Sequence, residues 1–271
     1  MPIITISRGS YSHGKEIAEK VARKLGYECI ARDVLLEASK EFNIPEIKLI
    51  HAVQNAPSIF DKFTHRKERY IAFIEVAILT HLQKDKYVYH GFAGQFFLRY
   101  VPHVLKVRVN ADLEDRLKIV MERDNISREK AQYLIEIIDE ARRKWSEYLY
   151  GIDTWDSRLY DLVIHINKIT VEDAVDMVCD IARLDRFQTT PESQKAVDDL
   201  AIAARVKAAL MAVKSDLEVC AEDGVVFVKG KAPLFEERYL VDEIRKVSGG
   251  IPGVKETRID VFPIGTDYVN G

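Results

Sequence analysis

Gly9, Gly14 and Lys15 stand at GxxxxGK spacing within Ile3-Ile4-Thr5-Ile6-Ser7-Arg8-Gly9-Ser10-Tyr11-Ser12-His13-Gly14-Lys15-Glu16, between a short apolar run and a helical pattern. That arrangement suits an anion. Glycines let the backbone close around a phosphate with its N–H groups, and the helix that follows points its positive end at the same charge. A lysine at the helix start reaches the β- and γ-phosphates of a nucleotide. Gly9, Ser10, Ser12, His13, Gly14, Lys15 and Glu16 are therefore the expected nucleotide-binding residues, with Lys15 holding the donor phosphates. The position after the lysine ordinarily gives a Ser or Thr hydroxyl to Mg²⁺, and here it is Glu16. A carboxylate there either meets the metal through water or repels the phosphates. His13 could donate to the anion or be a tolerated loop residue. A glycine-containing turn with an incidental lysine is the plainer alternative, and the strand before and helix after weigh against it.

Such a loop needs a sheet behind it, and the chain supplies one. Candidate strands at Ile3–Ser7, Glu28–Ala31, Tyr87–His90, Val104–Val109 and Asp161–Ile166 alternate with helical patterns. The helices are expected at Lys15–Leu25, Val34–Glu41, Arg66–Gln83, Leu113–Arg123, Ser127–Leu149 and Val171–Leu184. Strand–helix alternation with Val- and Ile-rich strands indicates a parallel sheet covered on both faces. Tyr70–Leu82 is apolar on more than one side, which predicts a helix held between the sheet and another element.

The pattern breaks at Asp185–Lys195, a polar, aperiodic stretch carrying Pro191 that reads as a linker. Beyond it the order is helix (Ala196–Val213), strand (Leu217–Ala221), strand (Val225–Gly230), helix (Phe235–Val247) and strand (Val254–Phe262). Asp223-Gly224 between the two middle strands is a tight-hairpin signal, because both turn positions need positive φ. The expected division is thus residues 1–184, a linker at 185–195, a small αββαβ module at 196–262 and a tail at 263–271.

Several segments, in order, resemble the cytidylate kinase-like family, relatives of the nucleoside-monophosphate kinases. They are Ile4–Arg8 with Gly14 and Glu16-Ile17-Ala18, then Leu25-Gly26-Tyr27 and Arg32-Asp33, Val88-Tyr89-His90-Gly91, Val104–Val109, and Tyr160–Ile164. The resemblance spans about residues 3–184. It implies an α/β fold, a doubly wound parallel five-stranded P-loop sheet with a helical lid. It also implies ATP- and Mg²⁺-dependent phosphoryl transfer to a nucleoside monophosphate such as CMP. On that reading Asp33 orients an acceptor hydroxyl or a hydrated Mg²⁺, or else caps the helix after it. Arg116, Arg123, Arg142 and Arg143 are the candidate lid arginines, with Arg142 foremost for the transferring group and Arg116 and Arg123 for the nucleotide. Asp139 and Arg143 could instead form only a helix-surface pair. Arg66, Lys67 and Arg69 are either an acceptor-phosphate patch or a solvated helix face. The family commonly has Gly-Arg after its third strand, whereas Gly91 is followed by Phe92. With Glu16, that departure leaves a degenerate nucleotide-sensing regulator as the alternative.

Residues 196–262 resemble a BON domain through Asp223–Gly230, the helix around Glu237–Ile244, and Pro252-Gly253-Val254. Such modules are often linked to phospholipid or ligand binding. From Ala196 onward, however, ten lysines and arginines face thirteen acids, which disfavours anionic lipid. An interaction or regulatory role is expected instead, with a packing appendage that stabilises or dimerises the first domain as the plainer alternative. The whole chain has net charge −3, so it lacks the basic excess that drives nonspecific nucleic-acid binding. Three scattered cysteines and no long uncharged apolar run fit a reducing compartment, and a cytoplasmic location is expected. The seven histidines form no HExxH and no other ligand spacing, so no protein-held metal is expected beyond Mg²⁺ arriving with a nucleotide.

Overall fold

A computed structural model describes residues 2–31, 33–43, 66–91 and 94–264. The first sheet has five parallel strands in the order β2-β3-β1-β4-β5. They are β1 (Ile3–Arg8), β2 (Glu28–Ile30), β3 (Tyr87–Tyr89), β4 (Val104–Ala111) and β5 (Leu162–Ile166). β1 pairs with β3 on one side and over its whole length with β4 on the other. Ile3, Ile4, Thr5 and Ile6 are all buried, because helices cover both faces. Each such fully buried aliphatic side chain contributes roughly 1.5–3 kcal/mol.

On one face lie α1 (Gly14–Leu25) and α7 (Val171–Ala182), whose Ile17, Val21, Val175 and Val178 pack with Ile4 and Ile6 of β1. On the other lie α2 (Asp33–Glu41), α3 (Arg66–Leu82) and α4 (Gly94–Phe97). α5 (Leu113–Asp124) and α6 (Arg128–Tyr150) follow β4 and form a small separate core through Leu117, Val120, Ala131 and Ile135. The described strands and helices of this part match the expected order, with ends within two residues. The short α4, next to Phe92 and Ala93 outside the described residues, carried no periodic signal.

α8 begins at Pro191, inside the stretch read as a linker, and runs to Leu210. Thr190 and Ser193 form a reciprocal cap with Pro191 in the first turn. Proline lacks only an N–H that is unpaired there anyway, so it opens this helix and does not break the chain. Ahead of it Asp185–Phe187 make a 3-10 turn. The low amphipathicity of α8 has a cause: it is buried on two sides. Val197, Ala201, Ala204 and Ala208 join the core that contains α3, while Ile202, Val206 and Leu210 face the second sheet. Polar contacts close the first seam, where Gln83 Nε2 donates to Asp198 at 2.9 Å and Gln194 Nε2 to the Gln83 carbonyl at 2.7 Å. The expected partner layer for α3 is therefore α8.

The second sheet is β6 (Glu218–Glu222), β7 (Val225–Ala232) and β8 (Glu256–Pro263), with α9 (Glu237–Gly249) against it. β6 and β7 are antiparallel, β7 and β8 parallel. The hairpin turn is Asp223-Gly224, with φ of 56° and 75°. Asp199 of α8 accepts both turn N–H groups at 2.9 Å, fixing the hairpin to the shared helix. Among the described residues no helix is long and apolar enough to cross a membrane.

Between α3, α8 and β6 lies a cavity of about 380 Å³ whose walls include Glu75, Asp199, Lys207 and Glu222. Burial pushes the Glu75 carboxyl up from 4.5 to about 7, only partly opposed by Lys207. The folded chain thus keeps a proton that the unfolded chain has already released above pH 4.5. Stability contributed by neutral Glu75 is complete below that value and lost as pH rises through about 7. Melting temperatures measured from pH 5 to pH 8 should fall by an amount worth roughly 2–3 kcal/mol. Glu75→Gln should flatten that slope.

Candidate functional site

The loop after β1 occupies the carboxyl edge of the sheet, where parallel α/β folds place their ligands. Gly9 N–H donates to the Val109 carbonyl at 3.1 Å. Ser12 Oγ donates to the Gly9 and Val109 carbonyls at 2.9 and 3.0 Å. These contacts fold the loop back on β4 and leave its inner side facing a cavity. Tyr11 and His13 both take left-handed backbone, with φ of 59° and 62°. A side chain in that conformation costs about 1–2 kcal/mol, which is why glycine usually holds such positions. At Tyr11 there is compensation from Arg123, whose guanidinium lies 4.7 Å from the ring centre and donates to the phenol at 3.1 Å. The ring of His13, the residue preceding α1, lies 3.3 Å from Glu16.

Two helices, α5 and α6, hold the loop. Arg116 of α5 donates to the Ser10 carbonyl and to Ser10 Oγ, both at 2.7 Å, and pairs with Asp139 of α6. Asp139 also accepts the Ser10 N–H at 2.9 Å. Loop, α5 and α6 thus form one hydrogen-bonded unit.

Beside it is a cavity of about 130 Å³ lined by Ser7, Arg8, Gly9, His90, Arg108, Asp139, Arg142 and Trp155, among others. Three arginines converge here from three elements. Arg8 ends β1, and its Nη1 lies 2.7 Å from Nδ1 of His90. A guanidinium only donates, so His90 accepts at Nδ1 as the neutral ring. Burial, and next the charge of Arg142, push Arg8 down to about 10. Arg142 of α6 donates to the Arg8 carbonyl at 3.4 Å. Burial lowers its pKa also, with Asp139 opposing. Arg108 of β4 is buried, with Nη1 at 3.4 Å from both Ser7 Oγ and the Tyr160 hydroxyl. The one carboxylate among the described lining residues, Asp139, is already engaged by Arg116 and Ser10. Trp155 forms an exposed aromatic wall, with Arg143 5.2 Å from its ring centre. A pocket with surplus buried guanidinium charge and an aromatic rim can bind a phosphorylated ring compound.

The family model for the cytidylate kinase-like family matches residues 3–168. The chain belongs to that family. A cytidylate kinase of Sulfolobus acidocaldarius is 26% identical over 179 residues, 65% of this chain and 91% of that enzyme. One from Staphylothermus marinus is 36% identical over a shorter 74 residues, 27% of this chain and 42% of that enzyme. A crystal structure of an uncharacterized protein from Eubacterium ventriosum superposes with a TM-score of 0.52 at 20% identity. It covers 67% of this chain and 98% of that one, a likeness of fold.

Within this family frame the anticipated residues divide. Gly9 and Arg142 line the cavity. Ser10, Ser12, Arg116 and Asp139 build the loop's scaffold. Gly14 and His13 sit at the loop–helix junction. Lys15 stands elsewhere, on the exposed side of α1 with its ammonium 3.7 Å from Glu19. Glu16 is held by Lys20 at 2.8 Å and by His13, the Lys20 hydrogen bond drawing its carboxyl below the usual range. Arg123 serves Tyr11 and Asp124, and Arg143 serves Asp153 and Trp155. Asp33 is the first residue of α2. Arg32 and Phe92 lie outside the described residues. Arg69 lies over the ring of Phe73 at 5.4 Å.

Sequence reasoning passed over Arg8, His90, Arg108 and Trp155 as site residues. Arg108 did leave a signal, a cation in a strand buried on both faces, since arginine is rarely buried without a task. For the loop itself, His13→Gly should raise stability by about 1 kcal/mol by releasing the left-handed strain. In a chain of this size that corresponds to a melting temperature about 2–4 °C higher by calorimetry.

Proposed function

We propose that the chain transfers the γ-phosphoryl group of a nucleoside triphosphate to a small acceptor, a CMP-like nucleoside monophosphate. The observation that carries this reading is the cavity at the carboxyl edge of β1, where Arg8, Arg108 and Arg142 meet with no uncommitted described carboxylate among them. In the transfer an acceptor oxygen forms a bond to the γ-phosphorus while the bond to the β–γ bridging oxygen breaks, and the diphosphate leaves. The transition state spreads negative charge over the transferring group, so fixed guanidinium groups in a closed site stabilise it without reorganising. Arg142, carried on the lid helix α6, neutralises the transferring group, and Trp155 offers a face to the acceptor's ring. The tether from Arg116 and Asp139 to Ser10 couples lid position to loop position.

Mg²⁺ belongs to such chemistry and would neutralise phosphate charge when bound. The described oxygen donors around the loop are committed: Glu16 to Lys20 and His13, Asp139 to Arg116 and Ser10, Ser12 to two carbonyls. They offer the ion no direct seat, and in this reading it enters on the nucleotide's own phosphates and water. The αββαβ module is read here as BON-like, influencing the first domain through the shared helix α8. The antiparallel hairpin followed by a crossover helix and a parallel third strand supports that reading.

The test is transfer from Mg·ATP to CMP, dCMP, UMP, AMP and GMP, followed by product chromatography. Turnover is expected on a pyrimidine monophosphate, and Arg142→Gln should lower kcat/KM about 100-fold. Tight ATP binding with no transfer to any acceptor would replace this reading with that of a nucleotide sensor.

A further inference from the structure

Phosphate loops of this class place a cation at the start of the helix, yet the geometry around α1 does not put Lys15 there. Its ammonium lies near Glu19 in solvent, and it is not among the residues lining the cavity. The first residue of α1 is Gly14, and the reason for a glycine is steric. A Cβ at Gly14 would come within 2.7 Å of both Cβ and Cδ of Arg8, and 3.2 Å of its Cγ. The aliphatic stem of Arg8 therefore crosses over the junction between loop and helix. Beyond it the guanidinium enters the cavity beside His90 and Gly9. Among the described side chains no carboxylate lies within ion-pair distance of Arg8. Another cation of the cavity, Arg142, donates to the Arg8 carbonyl.

We propose that Arg8, reaching across Gly14 from the end of β1, is the cation that holds the nucleotide's β- and γ-phosphates, and that Lys15 takes no part. This rests on the kinase reading above and names the residue that makes its phosphate site work. The substitution has a chemical consequence. A guanidinium offers a planar fork of donors and stays charged when buried, whereas an ammonium is a compact point charge that deprotonates more readily. The neutral His90 ring steadies one edge of that fork through Nδ1 and leaves the others for phosphate oxygens. The Gly9 and Ser10 N–H groups are already given to Val109 and Asp139, so the loop's remaining N–H ligands come from Tyr11 onward, and the amino end of α1 adds its partial positive charge. Three features then share one cause. Gly14 is small because Arg8 lies on it, Arg8 lacks a described acidic partner because its partner is a ligand, and Lys15 is free to face solvent.

The experiment is titration calorimetry of the full chain with Mg·ATP and with Mg·ADP, on wild type, Arg8→Gln, Arg8→Lys, Lys15→Ala and Gly14→Ala. Far-ultraviolet dichroism and melting temperature serve as folding controls. Loss of a charged hydrogen-bond donor to phosphate should weaken ATP binding about 30-fold in Arg8→Gln. Lys15→Ala should stay within about 3-fold of wild type. Arg8→Lys should recover only part of the loss. Gly14→Ala keeps every charge but displaces the Arg8 stem, and should weaken ATP binding as well; it decides the matter if Arg8→Gln does not fold. Wild-type binding that is lost in Lys15→Ala and kept in Arg8→Gln or Gly14→Ala would overturn the assignment while leaving the kinase reading standing. Absence of ATP binding by the wild type itself at millimolar concentration would sink both.

Discussion

β1 is hydrogen-bonded on both sides and covered on both faces, so it meets solvent only where it ends. That constraint organises the rest of the molecule. Four consecutive buried residues, Ile3 to Ile6, leave no lateral surface for chemistry. Everything polar that the strand contributes is therefore concentrated in Ser7, Arg8 and the turn that follows. The neighbours obey the same rule. Beside β1, β3 leads into His90 and β4 carries Arg108, so side chains distant in sequence become adjacent across parallel strands. From α5 and α6, Arg116 and Asp139 then hold Ser10 of the loop, and Arg123 holds Tyr11.

Sequence pattern conveyed this architecture well because burial on both faces makes the strands apolar and helices must alternate with them. It also showed that α3 needed a second apolar partner, without naming which element supplied it. What it concealed was the start of α8. A polar stretch with a proline reads as a break, but Pro191 sits where a helix tolerates it and Thr190 with Ser193 supplies the cap. Weak periodicity in α8 had a similar origin, since a helix with two apolar sides has no polar face to contrast.

At the site, the loop's position was legible and its chemistry was less so. The GxxxxGK spacing correctly marked the turn between β1 and α1, because a strand, a tight loop and a helix start leave a strong local signature. It could not show the direction of Lys15, which depends on helix phase and on Glu19 four residues along. Nor could it reveal that Tyr11 and His13 occupy left-handed backbone, a property of the closed turn. Arg8 was visible only as the end of the first strand segment that carries the family resemblance. Its closeness to Gly14, His90 and Arg142 follows from tertiary structure, and no local pattern encodes it.

The two-sided burial of α8 changes what the last third of the chain is. One stripe of this helix completes the core around α3 and the opposite stripe founds the core of the second sheet. Severing the chain ahead of Pro191 would leave part of the α3 core open to water, so the αββαβ segment is not a detachable passenger. The two sheets share a structural wall, and disturbance of one core reaches the other through a single rigid rod. A version of the chain without this segment would need polar residues along the face of α3 that α8 covers. The run from Ile71 to Leu79, apolar but for Glu75, is instead that of a helix covered on both sides.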